Sequence, residues 1–183
     1  MKTSITYILL IIIGLVSCTN TNKRVATRLN ESMEDNPSTI LRIISTDPSY
    51  VPNKARQEQA TEFLEKVYPN HKVQCILKDT IEFVDQGQNF DSIICPFCGR
   101  SIETEYWQDA MEKADQSRFT DLTFITPCCN KKTSLNDLRY ITPAGFAEFI
   151  LSVDDPETEI KEIDVTALEN ILNTHLRIIY AHY

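Results

Sequence analysis

Between Cys95 and Cys129 the chain places four of its six cysteines, in two short turns that read Cys95-Pro96-Phe97-Cys98-Gly99 and Pro127-Cys128-Cys129-Asn130. Two turns that each present a pair of thiols supply the donors a tetrahedral metal site needs, and a Cys-x-x-Cys turn followed by Gly is the usual zinc knuckle. Gly tolerates the positive φ that closes such a turn. Cys95, Cys98, Cys128 and Cys129 are therefore the candidate ligands of one Zn²⁺. A four-thiolate shell leaves no open position, so the expected role of the metal is structural.

The second turn is the harder one to read. Two sulfurs on one zinc lie about 3.8 Å apart, given Zn–S near 2.3 Å and tetrahedral angles. Neighbouring residues of a strand point to opposite faces. Cys128 and Cys129 can chelate together only if the backbone turns there, which Pro127 and Asn130 favour. The three histidines, His71, His175 and His182, all lie outside the module. The 29 residues between Cys98 and Cys128 exceed the usual ribbon spacing. A helix fits in the gap, which suits a larger ribbon or a treble-clef-like module.

A rival reading is redox chemistry. Cys95-Pro96-Phe97-Cys98 also resembles the Cys-Pro-aromatic-Cys site of glutaredoxins, whose first cysteine sits at a helix N-terminus with a lowered pKa. On that reading Cys95 and Cys98 would serve a thiol–disulfide oxidoreductase, with Cys128-Cys129 left unexplained. Cys75 shares a strand face with Val73 and Leu77 and is expected to be a buried core thiol.

Tyr7 to Val16 is almost wholly apolar and too short to span a bilayer, which takes roughly 20 residues. Lys2 precedes it, as in a secretory signal. Leu15-Val16-Ser17-Cys18 then resembles a bacterial lipobox. That resemblance implies cleavage before Cys18, acylation of its thiol and amine, and stable anchoring by two or three chains. It places the protein in a bacterial cell envelope. Thr19, where inner-membrane retention uses Asp, points to the outer membrane. Residues 19–37 are polar and aperiodic, the composition of a flexible tether.

The folded part is expected from residue 38 to residue 183. Ile40 to Ile44 is a β-branched run. After Pro52, Ala60, Phe63, Leu64 and Val67 form a helical stripe that Pro69 ends. Val73 to Val84 alternates as a strand, and Phe90 to Ile94 is a short one feeding Cys95. Glu103 to Gln116 suits a helix with Trp107, Ala110, Met111 and Ala114 on one face, where Trp107 would pack on the metal-held core. Leu122 to Ile125 is a strand. Ser134, Asn136 and Asp137, in a turn rich in capping types, form a possible polar site. Ala147, Phe149, Leu151 and Val153 share one face of the next strand. Asp164 can cap a helix carrying Val165, Leu168 and Leu172, and Leu176, Ile178 and Tyr180 alternate in a last strand. With 90–143 set aside, two strand–helix–strand units remain. That is the order of a ferredoxin-like α+β sandwich, with the zinc module inserted between its second and third strands.

The formal net charge of −8 argues against a nucleic-acid partner, which needs clustered Lys and Arg. Within 95–139 there are 6 basic and 7 acidic residues, so the module shows no basic face. With four Gly in the chain there is no phosphate-cradling loop. No Ser-His-Asp or Cys-His arrangement is local, so a non-enzymatic role is expected.

Taken together, CPFCG, Trp107 with Ala110-Met111, TPCCNKKTSLNDL and PAGF resemble an uncharacterised bacterial family. Its members carry a CPxCG knuckle, a Trp-containing helix, a PCC turn, an SLNDL stretch and Pro-x-Gly-Phe. The resemblance covers about residues 40–155 and implies the zinc module without implying a reaction. Asn130 stands where that pattern has Gly, and Asn also tolerates the left-handed region. The sequence thus points to a lipid-anchored zinc protein that contacts the membrane through Cys18 and serves protein interaction or an envelope accessory role.

Overall fold

The computed structural model describes Thr19–Asn20 and residues 38–183. The expected signal segment 1–17, the candidate lipidation site Cys18 and residues 21–37 of the expected tether lie outside the described residues. The fold is mixed α+β, with three helices among the described residues.

Its frame is an antiparallel sheet. β2 (Thr39–Ser45) lies between β9 (Gly145–Asp154) and β10 (Leu176–His182), and β3 (Val73–Val84) lies outside β9. The short β1 (Thr19–Asn20) runs parallel to Ile76–Leu77 on the outer edge of β3. Period-2 alternation sorts the side chains by face. Leu41, Ile43, Phe149, Leu151 and Val153 pack under α1 (Lys54–Val67) and α3 (Glu162–Leu172), against Ala60, Leu64, Leu168 and Leu172. Ile44, Ile150 and Ile179 point the other way and form a second cluster with Val84 and Ala147.

The helices begin and end where local chemistry dictates. Asn53, just past Pro52, caps α1 by accepting the Arg56 N–H at 3.1 Å. The expected cap of α3, Asp164, is corrected. The carbonyl of Lys161 takes the N–H groups of Asp164 and Val165 at 2.9 and 3.0 Å, so Lys161 is the cap residue. Glu162 and Asp164 lie in the first turn, where carboxylates meet the positive end of the helix dipole. Asn173, at φ 59°, closes α3 in the left-handed region.

Ala147 leaves the face that alternation assigns to it. The β3–β9 register shifts between Leu77 and Glu82, and the slip sends Ala147 into the second cluster. Beyond Val84 the chain crosses to the opposite edge of the sheet. Gly87 bridges His182, and the Gln88 N–H donates to the His182 carbonyl at 2.8 Å. At Gly87, φ is +64° and a Cβ would lie 2.1 Å from that carbonyl oxygen, so both conformation and space demand glycine.

The remaining elements form the module between β3 and β9. β4 (Ile93–Ile94) pairs with β5 (Ser101–Ile102) and β8 (Arg139–Tyr140). α2 (Thr104–Gln116) follows β5, and β6 (Thr123–Ile125) pairs with β7 (Lys132–Ser134) before a 3-10 turn at Leu135–Asp137. The expected strand from Phe90 is shorter than its apolar run, because Phe90 stacks on Trp107 at 5.3 Å instead of pairing. The core of the module runs into the sheet through Ile81 and Phe146.

Candidate metal centre

Cys95 directly follows β4 and is 1% exposed, whereas Cys98 at the far side of the turn is exposed. The Cys95 N–H donates to the Arg100 carbonyl at 2.8 Å, and the Gly99 N–H to the Cys95 carbonyl at 3.0 Å. Gly99 takes φ +70°, as the closure of the turn requires.

The second turn repeats this pattern one register earlier than its cysteines suggest. The Thr126 N–H donates to the Lys131 carbonyl at 2.9 Å, the Asn130 N–H to the Thr126 carbonyl at 2.8 Å, and Asn130 has φ +54°. Thr126-Pro127-Cys128-Cys129-Asn130-Lys131 therefore matches Cys95-Pro96-Phe97-Cys98-Gly99-Arg100 position for position. Thr126 stands where the first turn has Cys95, and Cys128 stands where it has Phe97. This answers the problem of adjacent cysteines. The backbone is a knuckle rather than a strand, so Cys128 and Cys129 reach one point.

All four sulfurs lie within 4.8 Å of one another. Cys95 Sγ is 3.6 Å from Cys129 Sγ, and Cys98 Sγ is 3.4 Å from Cys128 Sγ. These separations are close to the ~3.8 Å of two thiolates on one tetrahedral zinc. The four thiols are free. The group fits a metal ion by donor type and spacing.

The surroundings favour the thiolate at Cys95 and Cys98 and disfavour it at Cys128. At Cys95 burial raises the pKa, but the N–H groups of Phe97 and Cys98 and the Cys128 thiol outweigh it, and the net direction is down. At Cys98 the backbone N–H and guanidinium of Arg100 lower the pKa to about 6. Cys128 moves the other way, to about 12, through burial and the neighbouring Cys98 and Cys95 thiols. A dication bound by the group would displace the remaining thiol protons.

Two contributors escape a search for ligands alone. The guanidinium of Arg100 donates to the Cys128 carbonyl, tying one knuckle to the other. Thr126 is wholly buried, and its hydroxyl lies 3.1 Å from Cys129 Sγ. The signal for both was the parallel between CPFCGR and TPCCNK.

The other singled-out residues sit as follows. Trp107 packs against the module core and donates to the Tyr140 hydroxyl at 3.1 Å. Ser134 accepts the Asn136 N–H at 3.1 Å, Asp137 is exposed, and Asn136 is 3% exposed. The Asn136 amide donates to the Thr46 carbonyl at 2.9 Å, and its Oδ1 accepts from the Phe146 N–H at 3.3 Å. Asn136 thus joins module to sheet. Cys75 is half-buried, not the fully buried core thiol expected. No protein-family model, curated protein or solved structure matches this chain.

Proposed function

We propose that Cys95, Cys98, Cys128 and Cys129 hold one structural Zn²⁺, and that the module it closes is a protein-interaction unit of a lipid-anchored envelope protein. The observation that carries the metal assignment is the convergence of four thiols from two matched knuckles. All four donors are sulfur, which selects soft or borderline ions, and zinc is the redox-inert one among them. A closed thiolate shell stabilises a fold rather than activating water.

The redox alternative has less support. It needs Cys95 at a helix N-terminus, but a strand, β5, follows the knuckle and α2 starts only at Thr104. Cys95 and Cys98 also each contact a sulfur of the other turn, Cys129 at 3.6 Å and Cys128 at 3.4 Å.

The frame is read here as ferredoxin-like, because β2-α1-β3 and β9-α3-β10 assemble in the antiparallel order β3-β9-β2-β10. The module is read as a ribbon or treble-clef-like insert of the uncharacterised bacterial family that its motifs resemble. The lipid anchor and envelope location rest on Leu15-Val16-Ser17-Cys18.

Metal analysis with a thiol count on the natively purified chain tests the central point. One zinc per chain, with four thiols that react only after chelation, is the expected result. Absence of zinc together with a reducible Cys95–Cys98 disulfide would overturn it.

A further inference from the structure

The four thiols divide into two pairs, each drawn from both knuckles. Cys95 and Cys129 form the inner pair. Cys95 is 1% exposed, and the Cys129 sulfur lies 3.1 Å from the buried Thr126 hydroxyl. Cys98 and Cys128 form the outer pair. Cys98 is exposed, Cys128 is half-buried, and their sulfurs lie 3.4 Å apart. The flank beside Cys98 is open, since a Cβ on Gly99 would meet no atom within 4 Å. Arg100 bonds to Cys98 and to the Cys128 carbonyl, which holds the two outer residues side by side.

The division decides where an oxidant can enter. A small polar oxidant arrives from water, and Cys98 is the thiol that water reaches most freely. The sulfurs of a disulfide lie about 2.05 Å apart, so the outer pair has only about 1.4 Å left to close.

We propose that Cys98 is a hydroperoxide-reactive thiol with Cys128 as its resolving partner, and that the disulfide between them closes the module in place of zinc. The Cys98 sulfur attacks one peroxide oxygen and the O–O bond breaks. Cys98 becomes a sulfenic acid, and the departing oxygen takes a proton and leaves as water. The Cys128 sulfur then attacks the Cys98 sulfur, the S–O bond breaks, and the hydroxide leaves with a proton as a second water. Two electrons from the two sulfurs have then reduced one hydrogen peroxide to two waters. Cys95 and Cys129 remain as thiols, and two donors do not complete a tetrahedral shell, so the ion is released. The new bond joins the same two turns that the metal joins, 30 residues apart, so the loop containing α2 stays closed. A Cys95–Cys98 bridge would leave the second turn untied. The inference rests on the zinc reading above and names the chemistry to which that site responds.

The test uses the full-length chain in detergent, with its zinc counted first. Hydrogen peroxide is added in excess, and released zinc is followed with a zinc-sensitive dye against a sample without peroxide. The thiols are then alkylated in denaturant and mapped by mass spectrometry. The expected result is one zinc released per disulfide, a Cys98–Cys128 bridge, and Cys95 and Cys129 recovered as alkylated thiols. Hydrogen–deuterium exchange across 101–135 is expected to stay close to that of the zinc form. A dithiol reductant with added zinc is expected to restore the starting state. A Cys95–Cys98 bridge, over-oxidation of Cys98 without a bridge, zinc retained under excess peroxide, or a module that exchanges like an unfolded chain would each overturn the proposal. A sample without zinc before peroxide overturns the metal assignment instead, and the map of bridged thiols still decides the reactive pair.

Discussion

Arg177 on β10 holds Asn136 twice, donating to its Oδ1 and to its backbone carbonyl, each at 2.9 Å. A third bond from the same guanidinium reaches the Ala144 carbonyl at 2.8 Å. Gly145 leaves room for this arm, since a Cβ there would lie 2.4 Å from Arg177 Nη1. Beside the apolar contacts of Ile81 and Phe146, the module is therefore fastened to the sheet by one arginine and one buried amide. Asn136→Ala and Arg177→Ala are each expected to cost about 2–4 kcal/mol, because each strands buried polar groups of the other. The double variant should cost clearly less than the sum, as residues of one network do. Denaturant melts of the three variants check this, and strict additivity would refute the linkage.

The match between the two knuckles predicts a ligand exchange. Cys128→Phe alone should lose the metal. Adding Thr126→Cys should restore it, since position 126 occupies the place of Cys95 in the first turn. Zinc content of the single and double variants reads the outcome, and an empty double variant would show that the backbone match does not extend to the side chains.

The thiols should differ in reactivity once metal is removed. Cys98 is exposed and its pKa is lowered to about 6, so at pH 7 it is mainly thiolate and should be alkylated first. Its folded-state pKa lies below the ordinary 9.0, so it stabilises the metal-free fold in alkali and loses that contribution as pH falls through about 6. The alkylation rate should fall over the same range. Arg100→Ala should raise the midpoint toward the ordinary thiol value. Mass-resolved labelling after chelation measures both, and equal labelling of Cys98 and Cys128 would contradict the assignment.

Gly87→Ala should destabilise by at least about 2 kcal/mol, from the positive φ and the blocked approach to His182. The loss should appear as a lowered melting temperature with zinc content unchanged, because the contact lies on the sheet and not in the module.

The lipid anchor predicts a thioether-linked diacylglycerol on Cys18 and release of a Cys18→Ser variant from membranes. Mass spectrometry of the mature N-terminus decides it. An unmodified Cys18, or a chain that keeps residues 1–17, would overturn the anchor.

Period and punctuation carried most of the frame. Ala60 and Leu64 under α1, and Leu151 and Val153 on β9, lie where their spacing puts them. Ala147 does not, because a register slip in β3 is a pairing event that no single strand encodes. Asp164 looked like a cap because carboxylates favour both the cap and the first turn, and only the backbone bond to Lys161 separates the two. At the metal centre the ligand types and both turns were legible. The role of Thr126 was not, because reading by cysteine alone sets the second turn in the wrong register. Arg177 was invisible for another reason: it lies 41 residues from Asn136 and resembles any other strand arginine.

Ser38 and Tyr183 exchange backbone hydrogen bonds at 3.1 and 3.0 Å, at the end of β2 opposite Thr46 and the module. β2 is held on both flanks, by β9 and by β10. Consider a pull on Ser38 along the axis of β2. It loads two antiparallel ladders in shear, so rungs on both sides must yield together instead of opening one at a time. Tension along that axis is resisted by both ladders at once, while the cysteine knuckles lie beyond the far end of β2.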